Sequence, residues 1–118
     1  MSLLKGVRSE IDVKIEVPVG DDSGSVCFVA TYRKMTQTQR QQWREKTAER
    51  LRTFPEKHDQ AEHVREWLLG WRDLKGPTGE EVEFSPENLD VALDAVEYCE
   101  ALYSGFLDMV NGTALTKN

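Results

Sequence analysis

Residues 10–17, EIDVKIEV, alternate without interruption, with Ile11, Val13, Ile15 and Val17 on one side and Glu10, Asp12, Lys14 and Glu16 on the other. A period of two predicts a half-buried strand. Pro18 closes it, because proline has no N–H to give to a ladder. Gly20 to Ser25 has loop composition, and residues 26–32, VCFVATY, supply the β-branched and aromatic side chains of a second strand. Two strands joined by a short polar loop predict an antiparallel hairpin. A lone hairpin is marginal in water, so helices must cover its apolar face.

The period then changes. Thr36-x-x-Gln39 and Thr38-x-x-Gln41 both have capping-box form, which places a helix start at one or the other. Trp43, Thr47, Leu51 and Phe54 fall along one side of that helix, polar residues fill the rest, and Pro55 ends it. A second helix is expected from about Asp59 to Leu69, with Ala61, Val64, Trp67 and Leu68 inward and Gly70 as its break. Gly76-Pro77-Thr78-Gly79 fits a type I turn, and the flanks 71–75 and 81–84 predict a short second hairpin. Ser85-Pro86-Glu87 combines a hydroxyl cap, a proline at the first helical position and an acid at the positive end of a helix.

From Pro86 the helical pattern runs to Gly112, a good C-terminal stop. Unbroken, its roughly 25 residues would span about 38 Å. It carries two apolar stripes on nearly opposite sides. Leu89, Leu93, Val96, Tyr103, Leu107 and Val110 form one; Val91, Ala95, Tyr98, Leu102, Phe106 and Met109 form the other. Three readings fit: the helix is central, a break near Asp94-Ala95 exchanges the faces, or one stripe packs the core while the other awaits a partner. On the third reading Tyr98, Leu102, Phe106 and Met109 are the candidate partner-binding residues. The whole pattern predicts an α+β fold in a single domain over 1–118, with flexible ends at about 1–8 and 113–118. An N-terminal hairpin would be followed by three or four packed helices.

Composition narrows the class. Hydrophobic residues make up 39% of the 118 residues and charged ones 31%, as in folded water-soluble chains. No apolar run approaches the length of a bilayer span, and the first residues lack a signal peptide's apolar stretch, so a cytoplasmic location is expected and no membrane partner. Charge is unevenly placed. Residues 1–35 balance at zero, residues 36–75 carry nine basic and seven acidic side chains, and residues 76–118 carry one basic against nine acidic. The acidic end disfavours nucleic acid as a partner.

Candidate chemistry is thin. Cys27 and Cys99 sit in apolar segments and are expected to be buried thiols. His58 and His63 stand five apart, not the four that puts two zinc ligands on one helix face. Glu80, Glu81 and Glu83 match no calcium loop or acid–base frame. Gly76–Gly79 lacks the lysine of a phosphate loop, and Ser104-Gly105 has no activating histidine. The expectation is a binding protein, with no enzyme activity, metal or cofactor.

One resemblance gives that expectation a name. A charged strand pair running into FVATYRKMTQTQR, a helix, then WLLGWRDLKGPTGEEVEFSPENLDVAL, resembles the tail assembly chaperones of long-tailed bacteriophages and prophages. The pattern that joins two helices in that family is matched by Gly70-Trp71, Gly79 and Phe84-Ser85-Pro86-Glu87-Asn88-Leu89. The family's second leucine and its proline-containing break are replaced here by Ala92-Leu93 and Asp94-Ala95-Val96-Glu97. The resemblance covers roughly residues 10–110. It implies a cytoplasmic protein, absent from the mature virion, that keeps the phage tape measure protein soluble and recruits the major tail protein. It leaves room for self-association. The alternative is a structural tail or head–tail completion protein retained in the virion.

Overall fold

The computed structural model describes residues 8–19, 24–53 and 59–112. The expected loose ends lie almost wholly outside those residues, as do Phe54, Pro55 and His58. Among the described residues the chain is α+β, with a three-stranded antiparallel sheet and four helices. Strand β1 is Glu10–Pro18 and β2 is Ser25–Arg33; they pair along their full length, Glu10 opposite Arg33 and Pro18 opposite Ser25. This register sets Val13, Ile15 and Val17 beside Ala30, Phe28 and Val26 on one face. All but the half-buried Val26 are buried there. The other face carries Asp12, which accepts from the Thr31 hydroxyl at 2.7 Å and from Arg72 at 3.0 Å. These two contacts hold the Asp12 carboxyl below the usual carboxylate range, the hydroxyl contributing most.

Helix α1, Gln37–Thr53, starts from Thr36, whose hydroxyl accepts from the Gln39 N–H at 3.1 Å while Gln39 Oε1 accepts from the Thr36 N–H at 2.9 Å. The first of the two candidate boxes therefore closes. The predicted inner face is thinner than expected. Trp43 and Thr47 are half-covered, and Leu51 is 45% exposed. With so few apolar side chains the helix is held mainly through Trp43. Its ring meets Phe106 edge-on at 5.3 Å, and its N–H donates to His63 Nδ1 at 3.3 Å.

Helix α2, Gln60–Trp67, is capped by Asp59 and passes directly into strand β3, Leu68–Arg72. This differs from the predicted second hairpin. Leu68, Gly70, Trp71 and Arg72 pair with β2, with an irregularity between Thr31 and Tyr32 that leaves Leu69 over. Gly70 is thus a strand residue and not a helix break. Only the single bridge Lys75–Glu81 remains of the expected pairing across the turn. The reason is tertiary: an open sheet edge beside β2 offers more backbone partners than a short isolated hairpin.

Helices α3, Pro86–Asp94, and α4, Val96–Asn111, divide the helical pattern at the break expected near Asp94-Ala95 on one of the three readings. Ala95 is extended (φ −89°, ψ 121°) and stands between them. Gly112 ends α4 in the left-handed region at φ 72°. Helix α4 lies across β1 and β2 with α2 and α3 beside it. The core is one cluster built from the sheet's inner face, α2, α3 and one broad face of α4.

Candidate binding groove

Leu102, Phe106 and Met109, the heart of the stripe expected to await a partner, are 0%, 0% and 3% exposed. They belong to the core. The break at Ala95 explains the correction. Before it, Leu89 and Leu93 of the first stripe face inward; after it, Leu102, Phe106 and Met109 of the second stripe are buried together with Tyr103 and Val110 of the first. On α3, Leu89, Ala92 and Leu93 are buried and Val91 is left 72% exposed; just past the break, Val96 is 65% exposed. Tyr98 alone of the four candidates stays half-open, stacked on Phe28 at 6.3 Å.

What Tyr98 opens onto is an apolar groove of about 600 Å³, between α3, the 74–82 connector and the end of the β1–β2 hairpin. Trp71 and Tyr98 form part of its lining, with Val26 at the sheet end and Val82 on the connector. Trp71 is fixed from three sides. Its N–H donates to the Val82 carbonyl at 2.8 Å, Phe84 meets it edge-on at 4.9 Å, and Phe28 does so at 6.1 Å.

The connector wall is held by local hydrogen bonds. The Gly79 N–H donates to the Gly76 carbonyl at 3.0 Å, closing the turn the sequence predicts. The Val82 N–H donates to the Leu74 carbonyl at 2.7 Å, and Lys75 pairs with Glu81 at 3.3 Å. Glu80 accepts from the Thr78 hydroxyl, which holds its carboxyl low. The opposite wall begins at the Ser85 cap, which accepts from the Asn88 N–H at 3.1 Å. Asn88 Nδ2 in turn donates to the Glu83 carbonyl at 2.7 Å, tying the connector's exit to the first turn of α3. Asn88, Val91, Ala92 and Ala95 then line the groove at helical spacing.

The groove's lining is mostly apolar, with Val26, Trp71, Leu74, Val82 and Val91 among its residues. Among the described residues no group of three metal-binding side chains comes together. His63 lies instead among rings, stacked on Phe106 at 5.8 Å and accepting from Trp43. Cys27 corrects another expectation, being exposed on the sheet's outer face beside Glu16. It is opposite Glu16 in the register, so strand alternation turns it away from the core. Cys99 is half-buried, and that burial pushes its thiol pKa up. No described helix is long and apolar enough to cross a membrane.

Val26, Trp71, Val82 and Val91 were not singled out as site residues by the sequence pattern. One signal was present for Val91, which lies off the Leu89–Ala92–Leu93 face at helical spacing. Comparisons with family models, with curated proteins and with solved structures each returned no match.

Proposed function

We propose that this chain is a tail assembly chaperone of a long-tailed phage or prophage. It binds the tape measure protein without covalent chemistry, keeps it soluble in the host cytoplasm and brings the major tail protein to it. The supporting observation is a coincidence of place. The segment that carries the family resemblance, from Gly70-Trp71 to Phe84–Leu89, also supplies Trp71, Val82 and Asn88 to the apolar groove. A holding protein needs apolar surface on a charged body, and the acidic C-terminal third keeps such a complex in solution.

Co-expression with the tape measure protein of the same gene cluster tests the reading. The tape measure protein is expected in the soluble fraction with this chain and in the pellet without it. Mass spectrometry of purified virions is expected to find none of this chain. Its presence there in stoichiometric amount would show a structural tail or head–tail completion component instead.

A further inference from the structure

We propose that the groove takes an extended segment of another protein as a partial fourth strand, with apolar side chains facing in and basic side chains at its ends. The inference rests on the reading of this groove as the client surface and not on which client it is.

Strand β2 has nine residues and β3 only five. Their pairing stops at Val29 opposite Arg72, and Asp73, at φ 64°, turns the chain out of the strand line. From Ser25 to Phe28, β2 therefore has β1 on one side and no described strand on the other. In that antiparallel ladder Ser25 and Cys27 direct both N–H and C=O away from β1.

Open edges are normally guarded by charge or proline. Strand β1 carries such guards in Glu10, Asp12, Lys14, Glu16 and Pro18, whereas Ser25, Val26, Cys27 and Phe28 supply none. The unguarded edge ends on the groove itself, to which Ser25 and Val26 contribute. A bound helix satisfies its own backbone and leaves the edge unmet. An extended segment meets it with ladder bonds while alternate side chains enter the trough.

Charge sets the ends of the segment. Glu87 and Asp94 sit one helical turn either side of Val91 on α3, and Glu80 and Glu81 lie on the connector opposite. Against them stands Lys75, already held by Glu81. Basic flanks complement that rim.

The test uses the full chain and a synthetic peptide of alternating valine and threonine with lysines at both ends. Two twins carry N-methyl groups, each on one of the two alternate sets of backbone nitrogens, and a third has glutamates at the ends. Calorimetry is expected to show binding of the parent peptide, with one N-methylated twin weakened about tenfold or more and the other little changed. The glutamate-ended peptide should bind several-fold more weakly at low salt. Amide exchange by NMR should slow at Ser25 and Cys27, whose N–H groups face away from β1, only when peptide is present. Val91→Asp should weaken binding about tenfold without lowering the melting temperature.

Equal behaviour of the two N-methylated twins overturns the inference in favour of a helical or non-ladder occupant. Protection of the Ser25 and Cys27 amides without peptide overturns it in favour of this chain's own residues. Protection that rises with protein concentration alone overturns it in favour of a second copy. Failure to bind at about 1 mM overturns it outright. Tape measure solubility that persists while the peptide fails removes this inference alone. Peptide binding without any effect on tape measure solubility removes the chaperone reading alone.

Discussion

Tyr32 reaches from β2 through the core to donate its hydroxyl to the Leu102 carbonyl of α4 at 2.6 Å. Its ring is fully buried, and that burial, with a smaller push from Asp108, raises the phenol well above its ordinary range. The folded protein therefore holds the Tyr32 proton more tightly than the unfolded chain does. The associated stability is complete below the unfolded pKa of 10.0 and is lost as pH rises from there toward the folded value. Alkaline denaturation is expected to steepen above about pH 10, by up to about 1.4 kcal/mol per pH unit for this one group. Tyr32→Phe should lose about 1 kcal/mol at neutral pH and flatten that alkaline slope, as urea titrations at pH 7 and pH 11 would measure. An unchanged slope would mean the hydroxyl is solvated. Beside it, Gly105 is small for a reason of packing: an added Cβ would come within 2.5 Å of Ile15 Cδ1 and 2.9 Å of the Tyr32 hydroxyl. In the sequence, Ser104-Gly105 carried no sign of this, because the approach is made by two strands far away along the chain.

The break between α3 and α4 is the decisive feature at the scale of elements. Ala95 is the N-cap of α4 yet has no side chain to cap with, and its N–H donates back to the Ala92 carbonyl at 3.1 Å. Helix starts gain about 1 kcal/mol from serine or aspartate over alanine at the cap. Ala95→Ser is therefore expected to raise the melting midpoint in urea by an amount worth about 1 kcal/mol. If the helix ran unbroken, the same change would be a mid-helix serine and would lower it slightly. The double stripe had announced that something must happen here. Which of its three readings held depended on the sheet, whose inner face selects Leu102, Phe106 and Met109 after the break. The second hairpin misled for a related reason. Local turn chemistry at 76–79 is real, but the flanking Trp71 had a stronger competitor in the free edge of β2.

For the whole molecule, each apolar stripe contributes both buried and exposed side chains. Val91 and Val96 are exposed, so changing either to aspartate should alter stability by no more than about 0.5 kcal/mol. Leu102→Asp or Phe106→Asp should instead abolish the cooperative thermal transition, because a buried carboxyl there has no partner. Circular dichroism melts of the four variants would check the division. A folded Leu102→Asp protein would return the stripe to the surface and undo the assignment of the groove. Basic residues are frequent on α1 and acids from Glu80 onward, while the groove's lining is mostly apolar with Lys75 as its one charged residue among those described.

The sequence by itself determined the elements whose signals are local. These are the strict alternation of β1, the cap at Ser85, the turn at Gly76–Gly79 and the stop at Gly112. Each depends on a handful of neighbouring residues and their own backbone hydrogen bonds. Tertiary structure alone decided the third strand, the inward turn of Leu102, Phe106 and Met109, the outward turn of Cys27, and the groove between Tyr98, Trp71 and Val91. Those depend on which surfaces meet across the chain. Burial is shared between partners, and one segment's periodicity cannot say which of its apolar sides will be covered.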